Sequence, residues 1–276
     1  MGSKSREHVI PNWLQKHLGI EHESITLEVK DPFGIHQRSR RLNFGSMLLG
    51  RRVCGQCNHG WMSELEVAVA PTLISLVENG SISLLNSEQR HLVSRWAIKT
   101  LYALAFYADF QRLVPLSHTR TLSSEPYIAE GVHLFGSRVA ADTPIDLIFC
   151  STWNVFPEDS AFAETDFQAA MGQSYKIGIR VKSLALIAAF WYLPQYRLTI
   201  CPGNHLPLWP PAANIVELPC EDFNPPASLY LRDLPRLVGS IGATDGSGPF
   251  VIKPRAPVPF VVADENHVPA EAEESE

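Results

Sequence analysis

The sequence has few cysteines and no long apolar run, and each scarcity excludes a class of protein. Only five of the 276 residues are cysteine, an odd number, and only Cys54 and Cys57 lie close together. We therefore expect no disulfide framework, and we expect the protein to reside in a reducing compartment. No apolar leader follows the first charged residues, and no run reaches the length of about eighteen apolar residues that indicates a membrane span. We expect a cytoplasmic protein that does not contact a membrane.

Positive charge is also scarce, but it is concentrated at one end of the chain. The formal net charge is −6, whereas residues 1–60 hold nine Lys and Arg against five Asp and Glu, a balance of +4. Such a region suits a nucleic-acid partner, although a solvated surface would have the same composition. The last thirteen residues carry six acidic side chains and no Lys or Arg. We predict a disordered acidic tail over 264–276.

The first eighty residues predict a helix, a hairpin and a second helix. Pro11 and the apolar residues that follow it favour a short helix, and SITLEVK alternates as a strand does. A turn at 31–34 should return the chain as a second strand with Arg38 and Arg40 on one face. This hairpin would lie along a phosphate backbone or, equally well, form a solvated edge whose charges prevent edge pairing.

An amphipathic helix is predicted to begin at or near Asn58. Trp61, Leu65 and Val69 recur in it at helical spacing, and Pro71 should end or restart it. After residue 80, the capping-box pattern at 86–89 and an apolar stripe predict a core helix over 87–110. Three basic residues lie off that stripe, namely Arg90, Arg95 and Lys99.

The remaining apolar runs predict an antiparallel sheet beside the helices, because turn-forming residues separate them. The predicted strands lie at 145–150, 175–181, 184–193 and 196–201. Two Pro-rich stretches, 202–211 and 219–226, should lie over the surface, because proline cannot occupy an interior strand.

Two short motifs carry chemistry. EHVIP contains Glu7 and His8, and CGQCN contains Cys54, Cys57 and Asn58. A histidine can accept a proton from water, and carboxylate and amide oxygens can hold a divalent ion against a phosphate. A C-x-x-C pair has the spacing of a zinc knuckle. Asn58 would also serve as an ordinary helix N-cap, which is the simpler interpretation of that residue alone.

In order and spacing, these motifs resemble the HNH, or ββα-metal, endonucleases over about the first quarter of the chain. The likeness is to members of the recombination endonuclease VII group, in which acid-His-x-x-Pro is followed by C-x-x-C-N. The resemblance implies that His8 is the general base and that Glu7 and Asn58 hold Mg²⁺ or a similar divalent cation. It implies DNA as the partner. Arg51 and Arg52, directly before the knuckle, would neutralise phosphates, as would the two hairpin arginines.

Three features depart from the family pattern. Glu7 stands where many members have Asp, His8 and Asn58 are fifty residues apart, and no second C-x-x-C pair precedes Glu7. Two thiolates do not complete a tetrahedral zinc site. An upstream extension could supply the other pair, packing alone could hold the knuckle, or distant residues such as Cys201 and His205 could close it. A buried cysteine and a loop histidine would explain the last pair without zinc.

The sequence therefore predicts an α+β protein. A small N-terminal ββα-metal (HNH-like) module at 1–80 would precede a helix and a mostly antiparallel β domain of unknown role at 81–263, followed by the acidic tail. The expected function is metal-dependent hydrolysis of DNA phosphodiester bonds. The alternative is a catalytically degenerate HNH-like module that binds nucleic acid or another protein. Zn²⁺ is a second candidate ion, at the incomplete site of Cys54 and Cys57.

Overall fold

The computed structural model describes residues 4–5, 7–30, 36–49, 53–78, 80–107, 114–125, 127–138, 145–150, 154–156, 173–194, 196–200, 205–211, 215–217, 237–238 and 240–244. Several predicted features lie outside these residues, namely Arg51, Arg52, Cys201, the stretch 219–226 and the tail 264–276. Of Arg38 and Arg40 only the backbone is described.

Helices and mainly antiparallel strands make up the described residues, which confirms the α+β class. The helices are α1 (Asn12–Leu18), α2 (Gly55–Cys57), α3 (Ser63–Glu78), α4 (Ser87–Tyr107) and α5 (Leu116–Thr121). The strands are β1 (Lys4–Ser5), β2 (Ser24–Lys30), β3 (His36–Asn43), β4 (Val53–Cys54), β5 (Val132–Arg138), β6 (Ile145–Cys150), β7 (Asn154–Phe156), β8 (Tyr175–Val181), β9 (Leu184–Phe190), β10 (Arg197–Ile200), β11 (Leu206–Trp209), β12 (Val216–Glu217) and β13 (Ile241–Thr244).

The N-terminal segment runs antiparallel to the segment that leads into α2. Lys4 of β1 pairs with Cys54 of β4, and an isolated bridge joins His8 to Leu48. The amide of Leu49 donates to the carbonyl of Glu7 at 2.8 Å, directly beside that bridge. The predicted helix α1 and the predicted hairpin of β2 and β3 lie between the two paired segments in the chain.

Helix α3 passes through Pro71, so the prediction that this proline would end or restart the helix was wrong. A helical proline leaves the carbonyl four residues earlier without its partner. Here that residue, Val67, is 75% exposed, so water can satisfy its carbonyl. Buried residues on both sides of the proline, Val69 and Leu73, keep the helix on the core.

The helical stretch Gly55–Glu78 is also the one helix among the described residues that could cross a membrane by length and composition. Buried core helices pass the same test, and Leu65, Val69 and Leu73 of this helix are buried in the main core. The stretch is therefore weak evidence for a membrane contact.

Helix α4 begins as the sequence predicts. The Asn86 side-chain oxygen accepts from the amide of Gln89 at 2.8 Å, and the Gln89 side-chain oxygen accepts from the amide of Asn86 at 3.1 Å, which confirms the capping box. One assignment on this helix was wrong. Lys99 does not lie off the buried stripe, since only 3% of the residue is exposed.

Two sheets follow the helices. The five-stranded sheet, of order β11-β5-β9-β8-β6, is antiparallel throughout, and the four-stranded sheet, of order β12-β10-β13-β7, is mixed. Strand β10 was expected in the first sheet but belongs to the second. Strand β11 contains Pro207 and is an edge strand, in keeping with the rule for proline.

Strand β9 has both faces buried, because it lies between two layers of side chains. Leu184 and Leu186 belong to the main core with the helices, whereas Ala185 and Ile187 belong to a second core with β10 and β13. The main core extends from Val9 to Leu208 and includes residues on both sides of the predicted boundary at residue 80. Division of the chain into two domains stays a prediction.

Candidate active site

His8 lies on the more accessible side of the N-terminal segment. Its neighbours Glu7 and Val9 are buried, whereas His8 itself is half-buried, as the alternation of an extended strand requires. The bridge to Leu48 and the packing of Val9 and Ile10, both 0% exposed, hold this segment in place. The imidazole is therefore carried on a fixed backbone and can meet solvent.

The carboxylate of Glu7 takes part in a buried charged cluster. The Lys99 ammonium donates to Glu7 Oε1 at 3.2 Å and to Glu66 Oε1 at 2.5 Å. The Lys99 side chain is 2% exposed, while those of Glu7 and Glu66 are 11% and 18% exposed. We call these three residues the Lys99 cluster. It joins the N-terminal segment, α3 and α4.

Burial raises the pKa of Glu7, against the opposing effect of the Lys99 ammonium. The negative charge of Glu66 also raises this pKa. Lys99 donates one hydrogen bond to Oε1, and a carboxylate has about four acceptor sites on its two oxygens. Glu7 can therefore serve as an oxygen ligand while it remains paired with Lys99.

Asn58 is half-buried and lies at the start of a π turn, Asn58–Met62, that precedes α3. Its backbone is already helical, with φ −65° and ψ −49°. The N-cap of α2 is Cys54, whose sulfur accepts from the amide of Cys57 at 2.9 Å. Capping of this helix, the simpler interpretation of Asn58, is thus performed by a different residue.

Cys54 and Cys57 form a disulfide, whereas the sequence analysis predicts two thiolates. The first turn of the helix brings their Cα atoms to 5.3 Å, within the range that a disulfide bridges. His205 is separately engaged, because both its ring nitrogens are hydrogen-bonded to serine hydroxyls. It has no ring nitrogen left for a zinc ion in this arrangement.

Compared with known proteins, the chain matches no family model, no curated protein and no solved structure. The resemblance to HNH endonucleases therefore rests on the sequence motifs alone.

A second contact joins the Asn58 turn to α4. The Arg95 guanidinium lies over the Trp61 ring at 5.0 Å and over the Tyr127 ring at 3.9 Å. It also donates two hydrogen bonds to the carbonyl of Leu122, at 3.3 and 3.0 Å. Arg95 therefore fixes Trp61, three residues after Asn58, against the helix that supplies Lys99.

Among the described residues, no hydrogen bond or ion pair joins Glu7 or His8 to Asn58, so the meeting of these three side chains at one site stays a prediction. Glu7 and His8 are adjacent, and their segment pairs with the strand that leads to Asn58. Within the described ranges, no group of three or more His, Cys, Asp or Glu side chains is arranged to hold a metal ion. The contacts of the four predicted phosphate-binding arginines, Arg38, Arg40, Arg51 and Arg52, lie outside what is described.

Lys99 and Glu66 were not among the residues predicted for the site. A signal for Lys99 existed, because it interrupts the apolar run of α4 three residues after the fully buried Trp96. A lysine at that position would be expected to have a buried partner. Nothing in the local pattern indicated which carboxylates would provide it.

Proposed function

We propose that the protein is a metal-dependent endonuclease of the HNH type that hydrolyses DNA phosphodiester bonds. The observation that carries the proposal is the antiparallel pairing of the Glu7–His8 segment with the segment that ends at Cys54, directly followed by the helix start with Asn58. This strand–strand–helix order is the one that the resemblance to ββα-metal endonucleases implies. The hairpin of β2 and β3 is then an insertion between the two paired segments.

In this proposal, His8 accepts a proton from the attacking water, a role that suits a half-buried imidazole on a fixed strand. Glu7, through its carboxylate, and Asn58, through its amide oxygen, would hold the divalent ion. When bound, that ion would stabilise the negative charge that develops on the phosphate. Arg38, Arg40, Arg51 and Arg52 would contact the DNA backbone.

The second candidate is a catalytically degenerate module that binds nucleic acid or another protein. The observation that favours it is the Lys99 cluster, because Lys99 already neutralises Glu7 and reduces the need for a metal ion there. The two candidates predict different outcomes for the same reaction, so one experiment separates them.

The experiment is nicking of supercoiled plasmid with Mg²⁺, Mn²⁺ or Ni²⁺. Wild type should nick the plasmid, and His8→Ala should lower the rate by at least about a hundredfold, the smaller end of the usual contribution of a general base. The matched control is His22→Ala, at an exposed histidine, which should retain the wild-type rate.

DNA affinity of each variant should be measured by gel shift, because loss of His8 should spare binding. If wild type and His8→Ala both shift DNA but leave the plasmid supercoiled with every metal, the binding module is the better interpretation. Wild-type nicking by His8→Ala would instead show that the base is a different residue.

A further inference from the structure

We propose that Lys99 is a positioning residue of the candidate active site. Its ammonium ties the segment that carries Glu7 and His8 to the helix that follows Asn58. The inference rests on the proposed function, because positioning matters only if these side chains act together.

The first argument is the geometry of the ammonium group. One buried nitrogen donates to a carboxylate on the N-terminal segment, at 3.2 Å, and to a second on α3, at 2.5 Å. The lysine itself comes from α4, so three separate elements meet at a single charge. The bond to Glu7 is already at the long end of the normal range, so a further separation of about half an ångström would break it.

The second argument is that stability is a weak reason for a lysine at this position. Replacing a buried ion pair by well-packed apolar residues is often neutral or stabilising, because desolvation of the charges is costly. The surrounding face of α4 is apolar, with Trp96 and Ala103 buried on it. Methionine in place of Lys99 alone would leave the Glu7 and Glu66 carboxylates without their shared cation, so the ammonium is the group that holds these two side chains together.

The third argument is that α4 contacts the helix of Asn58 at two levels. Arg95, one helical turn before Lys99, lies over Trp61 in the Asn58 turn, and Lys99 meets Glu66 on α3. Gly60, between Asn58 and Trp61, departs from helical geometry at φ −97° and ψ −119°. External contacts are needed on such a kinked turn, because its own hydrogen-bond ladder is interrupted.

Lys99 also orients the carboxylate of Glu7. With Oε1 hydrogen-bonded to the ammonium, the carboxylate is held in one orientation, and that orientation would determine how it meets a metal ion. Partners of this kind, which orient a ligand without touching the metal, typically change metal affinity or activity tenfold to a hundredfold when removed.

The test compares Lys99→Met, which keeps the apolar stem, with Lys99→Arg, which keeps the charge, in the full chain. Lys99→Met should weaken Mn²⁺ binding, measured by the electron paramagnetic resonance signal of free Mn²⁺, by about tenfold to a hundredfold. Its kcat for plasmid nicking should fall by a similar factor with little change in KM. Lys99→Arg should recover most of both losses.

The matched control is Lys182→Met, which removes a lysine whose side chain is 41% exposed and whose partner Glu78 lies 2.7 Å away. It should leave Mn²⁺ binding and kcat unchanged. A folded Lys99→Met protein with wild-type Mn²⁺ affinity and wild-type kcat would overturn the inference, even if its melting temperature were lower.

Hydrogen exchange provides a readout that does not depend on catalysis. Lys99→Met should speed amide exchange both at 7–9 and at 55–62. Exchange at the wild-type rate in both segments would show that Lys99 does not hold them together. If wild type neither binds Mn²⁺ nor nicks DNA, the proposed function fails, and the exchange rates still decide the part played by Lys99. If Lys99→Met does not fold, Glu66→Gln replaces it, with faster exchange at 55–62 expected and wild-type exchange contradicting the inference.

Discussion

Two polar clusters in this protein differ in their charge and in how far their side chains are shielded from solvent. The Lys99 cluster is charged, and two of its three side chains are partly exposed. The second cluster lies between the two sheets and is neutral. We call it the His205 cluster, because His205 contacts Ser137 at 3.2 Å through Nδ1 and Ser240 at 2.7 Å through Nε2.

The His205 cluster forms a directed chain of hydrogen bonds. The Ser240 hydroxyl donates to the carbonyl of Leu237 at 2.9 Å, so it must accept from the Nε2 hydrogen of His205. The other ring nitrogen, Nδ1, then accepts from Ser137. Burial lowers the pKa of His205 to about 4, which keeps the ring neutral at physiological pH. Both ring nitrogens of His205 already make hydrogen bonds, so this cluster stabilises the fold and leaves no ring nitrogen available to a ligand.

The comparison teaches that burial of a histidine or a carboxylate does not by itself indicate a site. Glu7 of the Lys99 cluster adjoins His8, which meets solvent, whereas His205 is enclosed by serines between two sheets. We therefore expect substitutions in the first cluster to change activity and substitutions in the second to change stability.

The largest effect on stability should come from His205→Leu. It removes the hydrogen bonds that join His205 to two buried hydroxyls, and we expect the free energy of unfolding to fall by about 2–4 kcal/mol, measured by urea denaturation. Plasmid nicking by the folded protein should remain. The control is His133→Leu, since His133 Nδ1 is buried without a partner in the described structure, and its loss should cost less. An equal loss of unfolding free energy in both variants would show that the hydrogen bonds of His205 do not contribute to stability.

A second expectation concerns acid. The pKa of His205 is about 4 in the folded protein and near 6.5 when unfolded, so the unfolded state binds more protons between these values. Stability from this group is complete above pH 6.5 and is lost as the pH falls towards 4. The loss should be on the order of 3 kcal/mol. His205→Leu should show a correspondingly shallower decline in the free energy of unfolding, and an unchanged decline would show that other groups control acid unfolding.

The smallest expected effect is on the salt dependence of DNA binding. Arg51→Ala and Arg38→Ala should each reduce the slope of log K against log salt by about one unit, because each would remove a phosphate contact. Arg120→Ala, at an exposed position on α5, is the matched control and should leave the slope unchanged. Equal slopes for all three variants would place the DNA on a surface other than the basic N-terminal region.

The sequence by itself determined the local elements. Alternation in SITLEVK, the Asn86–Gln89 capping box and the apolar stripe of α4 act between residues a few positions apart, so their patterns are visible without the fold. The pairing of Glu7, His8 and the C-x-x-C-N motif into one region was predicted only through the resemblance. Backbone pairing joins the two segments at Lys4 with Cys54 and at His8 with Leu48, and the meeting of the side chains at one site stays a prediction.

The tertiary structure alone decided the partners of Lys99. Its carboxylates lie 92 and 33 residues away, and a lysine on a helix has the same local pattern whether it meets solvent or a buried acid. The same reason explains β10, whose apolar run fits either sheet until β13 supplies its antiparallel partner. Long-range pairing depends on which surfaces remain to be buried after the local elements form, and no short window of sequence contains that information.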